Sequence, residues 1–330
     1  MRNDHSKATT NAARILLESY GYDSLSYFSL HEKKKFYFSS TGMSFLSYIV
    51  LGKVALVSGD PIGPKEDIPI LLNEFMYFIK GASLTGCFVG LHENTLPFID
   101  SLKYNKIHIG DEAILQLSSF QKDSLKKRVR RAERHIENLR ITCKIYKRKD
   151  LPIKYLQQIE TISKDWLQNK GGKERGFSMT LGRIPKSPDI DCEFVLAIKE
   201  SNILGYLTLV PSYASQSLSL DAVRKRSDTP NGLNEFLLLQ AFDYYKEKNI
   251  KTISLNFAAF YNGGKQPGKK PFRYIKAGIY KLLSYYYKTN KLYSFNEKFK
   301  PDWQSRYFAF EKKRYFPHYL FAIMKTELNI

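Results

Sequence analysis

Between residues 35 and 58 the chain carries three apolar runs of strand length, 36–39, 45–50 and 53–58, with Gly42 and Gly52 between them. Short apolar runs broken by glycine fit strands joined by tight turns. The longest early apolar stretch, 45–57, is interrupted by Lys53, well below the roughly 20 residues that a membrane-spanning helix needs. Gly59-Asp60-Pro61-Ile62-Gly63-Pro64 then breaks the sheet. Residues 68–80 place Leu71, Leu72, Phe75, Met76 and Ile79 at helical spacing, and 87–91 return to strand character. Strands, a helix and a further strand make one α/β unit.

A second unit follows a highly charged connector. Residues 118–140 hold Lys122, Lys126, Lys127, Arg128, Arg130, Arg131 and Arg134 without glycine or proline, which predicts a basic helix. Beyond it, 141–146, 194–198, 203–210, 217–223 and 252–258 read as strands, and 153–169 and 233–248 as helices. The expected architecture is α/β, two units with mixed central sheets joined by the basic helix. Residues 1–145 form the first unit with that helix, and 146–330 form the second. Residues 261–270, rich in glycine and lysine, read as a mobile loop.

The net charge of +20 makes a polyanion the natural partner, either nucleic acid or anionic lipid headgroups. On this ground Lys126, Lys127, Arg130, Arg131 and Arg134 are candidate contacts to tRNA or to headgroups if they share one face; a solvated connector is the alternative. Cys87, Cys143 and Cys192 are too scattered for a disulfide framework or zinc site, which fits a reducing cytoplasm. Residues 1–18 do not read as a secretory signal, so any membrane contact is expected to be peripheral, at the inner face. The six histidines lack metal-ligand spacing, and no H-E-x-x-H, G-x-S-x-G or P-loop occurs. A metal enzyme and a serine hydrolase are therefore not expected.

The order strand, loop, helix, strand across 217–258 is that of the acyl-donor site in acyl-CoA N-acyltransferases. There a glycine-rich loop ahead of the helix normally cradles pyrophosphate. The corresponding stretch, 224–232, has Gly232 as its one glycine, which argues against acetyl-CoA. Asp221, Arg224, Asn231, Asn234 and Asn256 fall at strand ends and the helix start, where ligands bind in open α/β sheets. The structural alternative pairs Asp221 with Arg224 and makes Asn231 the helix cap. In the tail, Lys298, Lys300 and Arg306 lie among aromatic residues and could hold a phosphate or a developing oxyanion. A solvated charged face with a buried Trp303 is the alternative.

Several motifs, taken in order, resemble the C-terminal domain of the phosphatidylglycerol lysyltransferases. They are Gly59-Asp60-Pro61-Ile62-Gly63, the Gly110-Asp111-Glu112-Ala113 turn, and Trp166-Leu167 with Lys173-Glu174 and Phe177-Ser178. Ser219-Leu220-Asp221-Ala222-Val223-Arg224, Pro230-Asn231-Gly232-Leu233-Asn234-Glu235, Ser254-Leu255-Asn256-Phe257-Ala258 and the segment 298–307 complete the set. The Asn-Phe-Ala form is closer to the branch in which this domain accompanies a lysyl-tRNA synthetase. The resemblance implies tandem acyltransferase (GNAT-like) folds around a tunnel, with aminoacyl-tRNA entering at one end and an anionic lipid such as phosphatidylglycerol at the other. It assigns the chemistry to the second half. Asp221, Arg224, Glu235, Lys298 and Arg306 are then the catalytic candidates, and Asn231, Asn234, Asn256, Asp60, Glu112, Lys300 and Tyr307 the substrate-binding ones. Asp221 or Glu235 would bind the α-amine or assist hydroxyl deprotonation, while Arg224, Lys298 and Arg306 would hold phosphate and oxyanion. The expected reaction moves an aminoacyl group, lysyl foremost, from tRNA to a lipid hydroxyl, lowers the negative charge of the membrane, and needs no cofactor besides the aminoacyl-tRNA co-substrate. The family's flippase and synthetase portions are not in this sequence, so a freestanding enzyme or a fragment is expected. The rival readings are an acetyl-CoA-type N-acyltransferase and a non-catalytic module that binds tRNA or membrane.

Overall fold

The computed structural model describes residues 7–169, 178–259 and 289–327. The loop 261–270 and the motif residues Lys173, Glu174 and Phe177 lie outside the described residues. The strands are β1 (Lys35–Phe38), β2 (Phe45–Leu51), β3 (Val54–Ser58), β4 (Thr85–His92), β5 (Asn105–Gln116), β6 (Thr142–Lys147), β7 (Glu193–Lys199), β8 (Asn202–Ser212), β9 (Ser217–Lys225), β10 (Thr252–Ala259) and β11 (Asp302–Phe310). The helices are α1 (Lys7–Tyr20), α2 (Ile68–Gly81), α3 (Leu96–Ser101), α4 (Lys127–Asn138), α5 (Ile153–Asn169), α6 (Leu233–Glu247), α7 (Thr289–Asn296) and α8 (Phe316–Glu327).

All the strands join one sheet in the order β1-β2-β3-β4-β11-β5-β10-β9-β8-β7-β6. The order contains the same plan twice. An antiparallel meander ends in a parallel strand–helix–strand step, β3-α2-β4 in one copy and β9-α6-β10 in the other. Each copy is then completed by a strand from the other half of the sequence. β11 pairs with β4, β5 pairs with β10, and β11 pairs with β5 to join the two. Residue 145 lies within β6, the first strand of the second copy.

Three sequence expectations are corrected by this topology. Gly110-Asp111-Glu112-Ala113 is the middle of β5, not a turn, because its backbone groups pair with both β10 and β11. Likewise the aromatic and basic tail is not a solvated face: 302–310 is an interior strand, and Trp303 is half-buried and stacked on Tyr293. The basic helix is also shorter than 118–140 and starts at Lys127. Residues ahead of it must turn the chain off β5, and Lys122 ties that turn down by reaching Glu133 (2.7 Å) and Asp243 (2.5 Å). Tertiary pairing overrides helix propensity there.

Strand alternation gives the central sheet two unlike faces. Ala113, Leu115, Leu117, Ile253 and Leu255 face α4 and α6, where they meet Val129, Ile136, Phe236, Leu237 and Phe242 in the main core. Each such large apolar side chain contributes about 1.5–3 kcal/mol by burial. The opposite face carries Glu112, Ser254 and Arg306 and is covered by α1, α5 and α8. Gly232, at the start of α6, has φ +96, and a Cβ there would stand 2.8 Å from the Cβ of Ala132 on α4. Gly232→Ala therefore combines backbone strain with a clash and is expected to cost about 1–3 kcal/mol, read as a lower urea midpoint with an unchanged slope.

Candidate active site

Arg306 and Glu112 are the most deeply buried of the predicted site residues, 1% and 0% exposed. They meet because β11 runs antiparallel to β5, with Arg306 opposite Gly110 and Gln304 opposite Glu112. Arg306 Nε donates to Glu112 Oε2 at 2.8 Å, and Nη2 donates to the same oxygen and to Ser24 Oγ (2.8 Å). Nη1 reaches Asp23 Oδ2 (2.6 Å) and the carbonyl of Gly90 (3.2 Å). Every N–H of the guanidinium is thereby engaged. Glu112 Oε1 in turn accepts from Ser24 Oγ (2.5 Å) and from Ser254 Oγ. Burial disfavours the charged guanidinium, yet Asp23, Glu112 and Asp60 together hold its pKa above the ordinary arginine value.

Above this cluster lies a cavity of about 890 Å³. Its wall includes Tyr22, Asp60, His92, Phe98 and Gln304, with Arg306 and Ser254 on the floor. Asp60 Oδ1 accepts from the backbone N–H of His92 (3.0 Å). Burial, followed by the nearby Asp23, pushes the Asp60 carboxyl up to about 7, against the opposing pull of Arg306 and of the donors from His92 and Thr95.

The second group gathers where β9 and β10 part. Their parallel pairing spans only Ser217–Ser219 against Thr252–Ser254, and a bulge follows in β10. Asn256 sits in that bulge at φ +76, a conformation that asparagine tolerates better than most residues. Its Nδ2 donates to the carbonyls of Leu220 and Met179 (both 3.2 Å), bridging the gap between the diverging strands. Its backbone N–H donates to Ser254 Oγ (3.2 Å), so a chain of hydrogen bonds runs from Arg306 through Glu112 and Ser254 to Asn256. Asp221 is buried and accepts from the N–H of Leu181 (2.8 Å) and from Thr208 Oγ1 (3.0 Å). Arg224, also buried, places its guanidinium carbon 5.3 Å from the ring centre of Trp166.

The remaining candidates lie apart. Glu235, in the first turn of α6, pairs with Lys298 at 2.6 Å, and Lys298 also stands 4.7 Å from the ring centre of Phe295. This pair is on the α6 side of the sheet, opposite Arg306. Asn234 is half-buried, with Oδ1 lacking a partner among the described residues. Asn231 is exposed and does not cap α6: the cap position is Gly232, without a side-chain bond. Lys300 is exposed and lines a small pocket of about 200 Å³, and Tyr307 sets its ring edge-on to His108. On α4, Lys127, Arg128, Arg131 and Arg134 are exposed along one side, opposite the buried Val129, Glu133 and Ile136. Lys126 is exposed just before the helix, and Arg130 is half-buried beside Asp123 (3.4 Å).

Asp23, Ser24, Ser254 and Thr208 complete the site; Asp23, Ser24 and Thr208 went unread in the sequence, and Ser254 was named only within its motif. Asp23 and Ser24 follow α1, far along the chain from Arg306, and isolated serines and aspartates after a helix look like ordinary turn residues.

Two predictions follow from the cluster. Arg306→Met leaves Glu112 buried without its cation and is expected to cost about 3–5 kcal/mol in urea denaturation, much of it recovered in the Arg306→Met, Glu112→Leu double variant. Asp60 is protonated in the folded protein over a range where the unfolded chain has lost the proton. Its contribution is full below the ordinary value of 3.8 and disappears as pH rises through about 7. The stability of Asp60→Asn relative to the parent should therefore rise between about pH 4 and pH 7 and level off above, by on the order of 2–4 kcal/mol.

Comparison with known proteins is consistent in fold and sequence. The family described as "Phosphatidylglycerol lysyltransferase, C-terminal" matches residues 14–310. "Lysylphosphatidylglycerol biosynthesis bifunctional protein LysX" of Nocardia farcinica is 30% identical over 323 residues, 96% of this chain and 28% of that protein. The protein of the same name from Rhodococcus jostii is 31% identical, over 95% of this chain and 29% of its own length. The chain thus spans under a third of these relatives. Among solved structures, L-PGS from Bacillus licheniformis superposes with a TM-score of 0.84 at 24% identity, covering 97% of both chains. The C-terminal domain of a putative lysylphosphatidylglycerol synthetase from Agrobacterium fabrum gives 0.84 at 19%, covering 98% of both.

Proposed function

Because the chain belongs to the phosphatidylglycerol lysyltransferase C-terminal family, we propose that it transfers an aminoacyl group, lysyl foremost, from aminoacyl-tRNA to a hydroxyl of phosphatidylglycerol. The observation that carries the reading is the hydrogen-bonded run from Arg306 to Asn256, which leads from the floor of an 890 Å³ cavity to the point where β9 and β10 part. A site of this kind has room for two substrates that must meet. The wide, mostly apolar cavity suits the lipid end, and the opening near Asp221 and Arg224 suits the aminoacyl end. The exposed cations of α4 suit the tRNA backbone.

In the reaction the lipid hydroxyl oxygen bonds to the ester carbonyl carbon, and the bond from that carbon to the terminal ribose oxygen breaks. The lipid hydroxyl proton leaves with a base, and the ribose oxygen ends as a hydroxyl. The ester is already activated, so orientation and charge stabilisation supply much of the rate, and the reading calls for no cofactor besides the charged tRNA. Asp221, on the strand that also carries Arg224, is suited to take and return that proton, and Asp60, on the cavity wall, is suited to orient the lipid. Arg224 is suited to the oxyanion, and the Glu235–Lys298 pair to shaping the aminoacyl end. Arg306, with its donors committed, fixes the floor of the cavity. Among the described residues no helix is long and apolar enough to cross a membrane. In this reading the lipid is met at the membrane surface, on its cytoplasmic side.

The test is to incubate the chain with tRNA charged separately with radiolabelled lysine, alanine or arginine and phosphatidylglycerol vesicles, then count label in the lipid phase. Lysyl label is expected, with Arg224→Ala slowing transfer by roughly 100-fold. The double variant Arg131→Glu, Arg134→Glu is expected to raise KM for the charged tRNA with kcat kept. Absence of lipid label from every charged tRNA, with tRNA binding intact, would overturn the reading in favour of a non-catalytic binding module.

A further inference from the structure

The last helix has two unlike sides. α8 packs on β3, and its Tyr319 and Ala322 are buried with Val54, Leu56, Phe308 and Phe310. On the other side Pro317, His318, Phe321 and Lys325 are exposed, Phe321 at 65%, and Leu320 and Met324 are half-exposed. Positions 317, 318, 321, 324 and 325 recur at helical spacing, so they form one stripe with an apolar centre. Lys312, Lys313 and Arg314 are exposed where the chain enters the helix. Lys312 pairs with Glu311 at 3.0 Å, and Arg314 lies 4.8 Å from the ring centre of Tyr315. From 312 to 326 the sequence contains no carboxylate.

We propose that this face of α8 seats the protein on an anionic lipid surface. Phe321 enters the boundary between headgroups and acyl chains, and Lys313, Arg314 and Lys325 meet headgroup phosphates. A helix with exposed apolar residues rimmed by cations fits an interfacial helix, and lysine stems can lie along the apolar zone while their charges stay in water. The exposed stripe of α4 differs: it is cationic without a large apolar residue at its centre, the pattern expected for a phosphate backbone rather than a bilayer. Position supports the assignment as well. Along β11, Arg306 lines the cavity while Phe308 and Phe310, on the same face, pack against α8. A bilayer under α8 therefore lies on the cavity side of the sheet. The inference rests on the lipid-acceptor reading for its role in the reaction, but it is tested separately.

The parent chain, Phe321→Trp, Phe321→Ser and the double variant Lys313→Glu, Arg314→Glu are mixed with vesicles of phosphatidylglycerol and phosphatidylcholine in equal parts at physiological salt. Circular dichroism confirms that each folds. Relative to the parent, Phe321→Trp is expected to add a blue-shifted emission that brominated acyl chains quench. Phe321→Ser and the double variant should each bind vesicles about tenfold more weakly, with tRNA affinity unchanged. Unquenched emission from fully vesicle-bound Phe321→Trp would overturn the proposal. So would a double variant that keeps vesicle binding and loses tRNA binding, which would make the face a nucleic-acid surface. Lysyl transfer to phosphatidylglycerol dispersed in detergent separates the two ideas. Transfer by the parent without quenching removes the seat and keeps the reaction, whereas quenching without transfer keeps the seat and removes the reaction.

Discussion

The buried contact between Arg306 and Glu112 holds the two copies of the fold to one another. It crosses the β11–β5 ladder, the line where a strand of the second half of the sequence meets a strand of the first. Removing two charges from water costs several kcal/mol per ion, so such a pair survives only when its remaining donors and acceptors are satisfied. Here Asp23, Ser24, Ser254 and the carbonyl of Gly90 complete that demand. These groups come from α1's exit, β4, β5, β10 and β11, so the pair is satisfied only when both copies are assembled. The same requirement fixes the cavity floor, because the residues that satisfy the pair also line the cavity.

The two faces of the sheet divide the labour of the molecule. The side under α4 and α6 is apolar and supplies the main core, and Glu235 and Lys298 stand on that side at the start of α6. The other side bears serine, glutamate, arginine and asparagine in a continuous run beneath α1, α5 and the cavity. A period-2 strand can present both characters, and β5 does so with Glu112, Ile114 and Gln116 on one face and Ala113 and Leu115 on the other. Where β9 and β10 splay apart, the amide of Asn256 bridges them by donating to the carbonyls of Leu220 and Met179.

Positive charge is distributed to match two kinds of polyanion. α4 presents a stripe of cations without a large apolar side chain, whereas α8 presents cations around exposed apolar side chains, and the difference lies in the residues facing water rather than in net charge. The guanidinium of Arg306, in contrast, is wholly internal and takes no part in any surface field. A net charge of +20 therefore overstates what is available to a partner, since Arg306, Arg224 and Lys34 are buried.

The sequence alone determined the α/β class, most strand positions, the helices 68–80, 153–169 and 233–248 to within a residue or two, and the family. These follow from hydrophobic period and from short motifs, which are local. It also identified Asp221, Arg224, Asn256, Glu112 and Arg306 as residues of interest, through motif resemblance and polar positions at strand ends. Only the tertiary structure decided their company. Nothing in the local pattern around 302–310 announces an interior strand between β4 and β5, because pairing with distant partners, not the strand's own composition, places it there. For the same reason Gly110-Asp111-Glu112-Ala113 looked like a turn, Asp23 and Ser24 went unread, and Arg306 looked available for phosphate. Burial and hydrogen-bond saturation depend on groups brought together from across the chain, and no residue's neighbours in sequence carry that information.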